Sequence, residues 1–91
     1  MDELQKARET IDECDRTIAE AFEKRFCAVQ EVIRFKISHG LPVLDSGREK
    51  EVIEKGTGLI QDEAIKPYYA RLLQTVMDLS KEYQEEIKQK K

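Results

Sequence analysis

The sequence predicts an all-α fold with three helices, the first of them unusually long. Three observations support this class. Apolar residues recur with a seven-residue period through the first third of the chain, and the last quarter has a helical period. No segment alternates polar and apolar residues as a half-buried strand would. Residues 1–91 are expected to form one domain.

The first helix is expected to begin at Asp2 or Glu3 and to end at His39, before Gly40 and Pro42. It would span roughly 55 Å, whereas a compact monomer of this size is only about 30 Å across. Much of the helix must therefore be buried by another chain, so we expect an intertwined homodimeric helical bundle. One face, called the seam below, carries two apolar rows: Leu4, Ile11, Ile18 and Val32, and Ala7, Cys14, Ala21, Ala28 and Phe35.

Two further helices are expected after a loop over residues 40–47. The run Ser46-Gly47-Arg48-Glu49 fits a capping box that opens the second helix, with Ser46 as the N-cap. Gly56 and Gly58 weaken this helix, so it either ends there or continues to about Glu63. Pro67 begins the third helix, whose apolar face carries Tyr69, Leu72, Leu73, Val76, Leu79, Tyr83 and Ile87.

Composition excludes several function classes. Charged residues make up 38% of the chain but balance to a net charge of −3, which argues against general affinity for nucleic acid or anionic membranes. No apolar stretch approaches the length of a membrane span, and the acidic start is unlike a signal peptide, so a cytoplasmic location is expected. Cys14 and Cys27 are expected to be buried small residues. His39 has no partner at ligand spacing, so no metal site is expected.

One residue of the seam is out of place. Arg25 is the only polar residue in the two rows, and Lys36 follows three helical turns later on nearly the same face. Burying cations requires an anion, yet no run of acidic residues shares this stripe. The pattern predicts a site for an anionic small molecule. A register-setting arginine, paired with a glutamate across a coiled coil, is the structural alternative.

The third helix carries matching polar exceptions. Ser80 and Gln84, four residues apart, lie on the stripe of Leu73, Val76 and Ile87 instead of the solvent face. Together with Arg25 they make a purely structural explanation much weaker.

Taken in order, these residues resemble the all-helical chorismate mutase family in its short, dimeric bacterial form. The resemblance covers nearly the whole chain. It rests on Arg8 with Ile11 and Asp15, on Arg25, on Lys36, on the segment Pro42-Val43-Leu44-Asp45-Ser46-Gly47-Arg48-Glu49, and on Ser80 with Gln84.

The resemblance implies an isomerase of aromatic amino-acid biosynthesis, in the shikimate pathway, that rearranges chorismate to prephenate without a cofactor. Arg25 and Arg8 of the other subunit would pair with the two carboxylates of the substrate, assisted by Ser80. Lys36 and Gln84 would bind the ether oxygen. Glu49 and the backbone of Asp45 would hold the ring hydroxyl, with Arg48 supporting that corner.

Two other functions stay open. An enzyme of the same fold that eliminates pyruvate from isochorismate also has a site rich in cations. A helical dimerisation or regulatory module without catalysis is the second alternative. Among single residues, Glu49 has the most direct structural explanation, since the capping box accounts for it without a substrate.

The neutral side chain at position 84 predicts activity that persists through neutral pH. A glutamate there would have to be protonated to donate a hydrogen bond, whereas the amide of Gln84 donates at any ordinary pH. The measurement is kcat for prephenate formation between pH 5 and 8. A steep loss between pH 5 and 7 would contradict this prediction.

Overall fold

Three α-helices make up the chain in the computed structural model, which describes residues 2–90. They are α1 (Glu3–Ser38), α2 (Ser46–Gly58) and α3 (Lys66–Gln89), and a single 3-10 turn, Glu63–Ile65, precedes α3. Residues 2–90 contain no strand. The predicted all-α class, the number of helices and the long first helix are therefore confirmed.

The ends of α1 follow local chemistry. Asp2 is the N-cap, and its side chain accepts a hydrogen bond of 2.7 Å from the backbone N–H of Gln5. At the other end Gly40 adopts a φ of 64°, a left-handed conformation that costs glycine little and turns the chain out of the helix. The predicted helix ends are confirmed to within one residue.

The predicted capping box at α2 is wrong. The N-cap is Asp45 instead of Ser46: its side chain accepts from the backbone N–H of Arg48 at 3.0 Å. The Asp45 carboxylate, one residue before the predicted cap, is also a favoured N-cap acceptor. The Glu49 side chain is thereby released from any capping role and reaches α3.

Packing against α3 explains why α2 is not broken at Gly56. The helix continues through Gly56 and ends at Gly58. Gly56 is buried against α3, where a Cβ would overlap Cδ1 of Leu73 and lie 3.4 Å from a ring carbon of Tyr69. The glycine therefore lets two helices approach closely instead of breaking one of them.

The third helix lies between the other two. It packs against both α1 and α2, whereas α1 and α2 make no close contact with each other within residues 2–90. Side-chain contacts pair Arg25 with Ser80 and Lys36 with Gln84, so α1 and α3 run in the same direction. Gly56 meets Leu73 and Glu49 meets Lys81, so α2 runs opposite to α3. This arrangement leaves a groove between α1 and α2 whose floor is α3.

Only the second half of α1 is covered within the chain. Val29 and Ile33 are buried, and the ring of Phe26 lies 5.2 Å from that of Tyr83 on α3. By contrast every residue from 2 to 24 is exposed. The large residues of the predicted seam are 45% to 59% exposed: Leu4, Ile11, Ile18, Val32 and Phe35.

The expectation that both cysteines are buried is contradicted within the single chain. Cys14 and Cys27 are free and exposed. Cys14 lies in residues 3–24 of α1, which no other helix within residues 2–90 covers. Cys27 lies outside the face with Val29 and Ile33 that α3 covers.

Two glycine substitutions test the close approach of α2 and α3. Gly56→Ala should lower the free energy of unfolding by about 1–2 kcal/mol, because overpacking against Leu73 outweighs the gain in helix propensity. Gly58→Ala is the matched control: no atom lies within 4 Å of its Cβ position, so it should stabilise by up to about 1 kcal/mol. Urea unfolding at one fixed protein concentration measures both. Equal stabilisation by the two alanines would refute the packing explanation.

Candidate active site

A cavity of about 250 Å³ lies in the groove between α1, the start of α2 and α3. Its walls are partly apolar, with Val29 and Val32 from α1, Val52 from α2 and Met77 from α3. Polar side chains from all three elements line the rest: Arg25, Lys36, Asp45, Arg48, Glu49, Ser80, Lys81 and Gln84. Polar groups from three helices thus converge on one concave, part-apolar cavity, as they do in small-molecule sites.

The guanidinium of Arg25 reaches α3. It donates a hydrogen bond of 2.8 Å to Oγ of Ser80, which is only 5% exposed. The Ser80 hydroxyl in turn donates to the carbonyl of Val76 at 2.8 Å. Ser80 therefore holds Arg25 in place while the remaining N–H donors of the guanidinium stay available to a ligand.

The ammonium of Lys36 is held by two oxygens. It donates to the backbone carbonyl of Val43 at 2.7 Å and to Oε1 of Gln84 at 3.3 Å. Because an ammonium can only donate, the oxygen of the Gln84 amide must face Lys36, and its NH₂ group is left as a donor. Gln84 is 6% exposed and lines the cavity. Lys36 retains a third N–H for a ligand.

The two cations converge on one point of the groove. Arg25 and Lys36 are about 16 Å apart along α1, but their partners on α3, Ser80 and Gln84, are separated by only about 6 Å of helix rise. Both side chains must therefore incline toward each other. Within residues 2–90 neither has a carboxylate at ion-pair distance. Their partners are neutral, so this end of the cavity carries uncompensated positive charge.

An ion pair between α2 and α3 also lines the cavity. Oε2 of Glu49 lies 2.9 Å from Nζ of Lys81, and their side chains are 22% and 30% exposed. Lys81 also lies 3.3 Å from Oδ1 of Asp78 on its own helix. The Glu49 carboxylate, in hydrogen-bonding range, is the main cause that raises the pKa of Lys81 above its ordinary value.

Comparison with protein families gives one match. A family model described as chorismate mutase type II matches residues 7–85, which is most of the chain. The chain belongs to the chorismate mutase type II family. Neither the curated proteins nor the solved structures that were compared give a match. The family resemblance expected from the sequence is confirmed, and so is the all-α class that the family implies.

Seven of the eight site residues that the chorismate mutase resemblance implies line the same cavity. They are Arg25, Lys36, Asp45, Arg48, Glu49, Ser80 and Gln84. The eighth, Arg8, is exposed on the first turns of α1, about 26 Å along the helix from Arg25. It cannot reach the cavity of its own chain, and its contribution from a partner subunit stays a prediction.

Arg48 and Asp45 stand at the rim of the cavity. The Arg48 side chain, 61% exposed, forms an ion pair with Glu51 one turn along α2. That hydrogen bond, followed by the charge of Lys55, lowers the pKa of Glu51. Asp45 uses its side chain as the cap of α2, which leaves its backbone as the group that could meet a ligand. Within the apo chain these two residues mainly organise the first turn of α2.

Sequence reasoning missed three parts of the site: Lys81, the carbonyl of Val43 and the buried Met77. A signal for two of them was present. Met77, Ser80, Lys81 and Gln84 follow the i, i+3, i+4, i+7 spacing of one helical face. Extending the stripe of Ser80 and Gln84 by this rule would have included Lys81. The Val43 carbonyl had no signal, because loop conformation decides where a backbone oxygen points.

The described part of the chain offers neither a metal site nor a membrane span. Residues 2–90 hold no group of three or more His, Cys, Asp or Glu side chains placed to bind a metal ion. No helix in this range is both long and apolar enough to span a membrane.

Proposed function

We propose that this chain is a chorismate mutase, an isomerase that converts chorismate to prephenate by an intramolecular Claisen-type rearrangement. One observation carries the proposal: Arg25 and Lys36 converge on a part-apolar cavity, and their hydrogen-bond partners are neutral. A dicarboxylate supplies the negative charge that this arrangement lacks.

The substrate carboxylates are bound by arginines. Arg25, held by Ser80, offers its remaining N–H donors to one carboxylate in the fork geometry that suits it. Arg8 of the other subunit binds the second carboxylate. Clamping both ends of a flexible dianion in its compact shape removes rotational freedom before the barrier is reached.

The reacting ether oxygen is bound by Lys36 and Gln84. Negative charge grows on this oxygen as its C–O bond breaks and the new C–C bond forms. The third N–H of Lys36 and the NH₂ group of Gln84 are donors fixed in place by their mutual hydrogen bond. Donors fixed in advance stabilise the transition state more than the ground state and cost no reorganisation during the reaction.

The ring hydroxyl is held on the side of the cavity formed by the start of α2. Glu49 accepts its proton in a hydrogen bond, the backbone of Asp45 adds a second contact, and Arg48 supports this corner. The mechanism needs neither a covalent intermediate nor a proton transfer. Catalysis is then electrostatic and conformational, and it requires no cofactor.

The active protein is a homodimer in which the seams of two α1 helices pack together. The exposed apolar rows of α1 support this, since 36 residues of helix extend well beyond the cover that α3 provides. Dimerisation buries the seam and brings Arg8 of each chain to the cavity of the other. Residues 1–91 act as one catalytic domain, and its cytoplasmic location stays a prediction.

Product identification tests the proposal directly. Purified protein is incubated separately with chorismate and with isochorismate, and the products are identified by chromatography and mass spectrometry. Prephenate from chorismate supports the mutase. Release of pyruvate from isochorismate, without prephenate from chorismate, would establish the lyase instead. No conversion of either acid would leave the non-catalytic helical module.

Removing either donor to the ether oxygen should be severe. Lys36→Ala and Gln84→Ala should each lower kcat by about 10²–10³-fold, as the loss of a fixed donor to a developing oxyanion does. Lys24→Ala and Gln89→Ala are matched controls, because these side chains are exposed and do not line the cavity. Steady-state kinetics and circular dichroism measure activity and folding. Wild-type turnover in either cavity variant would reject the assigned donors.

Mixing subunits should test the shared site. Homodimers of Arg8→Ala and of Arg25→Ala should both be inactive, but a heterodimer contains one cavity with both arginines intact. Unfolding and refolding the two variants together in equal amounts should restore about a quarter of wild-type activity, because half the dimers are mixed and each has one working site. Refolding each variant alone is the control. Absence of recovery would contradict the contribution of Arg8 across the dimer.

A further inference from the structure

We propose that Lys81 is a positioning residue that holds the Glu49 carboxylate for recognition of the substrate's ring hydroxyl. The inference rests on the proposed function and adds a residue to it. Three observations carry it: the ion pair between Lys81 and Glu49, its low exposure, and the presence of both side chains in the wall of the same cavity.

The ion pair of Lys81 differs from the others in the described part of the chain. Glu49 is 22% exposed, the lowest value for any carboxylate in an ion pair within residues 2–90, whereas the other carboxylates range from 48% to 83%. It also joins two helices, while the other pairs connect residues three or four apart on one helix or turn. A part-buried pair between helices fixes a side chain in a way that exposed pairs do not.

The contact with Lys81 sets the position and direction of the Glu49 carboxylate. Glu49 lies in the first turn of α2. It does not cap the helix, because the N-cap is Asp45. The contact with Lys81 is what holds its carboxylate over the cavity floor. A carboxylate has lone pairs for several hydrogen bonds, so pairing with Lys81 leaves acceptor capacity for a hydroxyl group.

Charge provides the second reason. The substrate is a dianion, and an unpaired carboxylate on the cavity wall would repel it. Asp45 is engaged at the helix cap, and Glu49 is neutralised by Lys81. Paired with Lys81, Glu49 can accept a hydrogen bond from the ring hydroxyl without repelling the two carboxylates of the substrate.

The test compares Lys81→Met with the wild type. We expect kcat/KM for chorismate to fall about tenfold, mainly through a higher KM, as a weakened hydrogen bond to a charged group would cause. In a Glu49→Gln background the same substitution should change kcat/KM by less than about twofold, because Lys81 acts through the carboxylate that is already gone. Lys81→Arg should retain activity within about threefold of the wild type, since it can still pair with Glu49.

Lys66→Met is the matched control. Lys66 has the same exposure of 30% and the same ion-pair distance of 2.9 Å, to Glu63, but it does not line the cavity. Its loss should leave kcat/KM unchanged. If Lys81→Met does not fold, Lys81→Gln carries the same comparison. A chorismate analogue with hydrogen in place of the ring hydroxyl adds a second measurement: with it, the loss of kcat/KM in Lys81→Met should be smaller than with chorismate, because only the repulsion between Glu49 and the dianion remains.

The outcomes separate the two claims. Prephenate formation with unchanged kcat/KM in Lys81→Met would overturn the role of Lys81 and leave the mutase assignment intact. The role of Lys81 would also be overturned if the effects of the Lys81 and Glu49 substitutions on kcat/KM multiply in the double variant, because the two residues would then act independently. A wild-type chain that makes no prephenate would overturn the proposed function and this inference with it.

Discussion

The rest of the site depends on the neutral hydrogen bonds that hold Arg25 and Lys36 at one place. Ser80, Gln84 and the carbonyl of Val43 fix both cations without cancelling their charge. A carboxylate in any of these positions would make an ion pair and neutralise the cavity. Neutral partners cost less to bury than charges do and leave the positive potential directed at whatever enters. The positive charge of the groove is thus fixed in place before an anion binds.

This requirement explains the placement of α3 between α1 and α2. Ser80 and Gln84 are buried polar groups, 5% and 6% exposed, and each is satisfied by a hydrogen bond to a cation or to its own helix. Such groups are tolerated only where their partners are fixed. The close contact of α2 with α3 at Gly56 lets Glu49 of α2 pair with Lys81 of α3 in the cavity wall. The cavity thus contains two cations without a carboxylate partner and one carboxylate that is paired with a lysine.

Two faces of the long first helix differ in whether their own chain covers them. One face, with Val29 and Ile33, is covered by α3, and Val29 lines the cavity together with Ala28 and Val32 at the edge of the seam. The seam is left exposed by its own chain. Because α1 is longer than its own chain can cover, its exposed part is available to a second chain. In the proposed site that second chain supplies Arg8. In the proposed dimer assembly and catalysis are coupled, because Arg8 of one chain is proposed to complete the cavity of the other.

The sequence alone determined the all-α class and the ends of α1, because these depend on local period and on glycine and proline chemistry. Periodicity also singled out Arg25, Lys36, Ser80 and Gln84, whereas Asp45, Arg48 and Glu49 were implied only by the family resemblance. Only the tertiary structure decided the rest. Whether Gly56 breaks α2 depended on space beside Leu73, and the N-cap moved from Ser46 to Asp45. Lys81 and the Val43 carbonyl joined the site through contacts between segments far apart in sequence or through loop conformation. Periodicity reports which face of a helix is apolar, but it does not report which neighbour covers that face, and this is why the burial of Cys14 and Cys27 was wrongly expected.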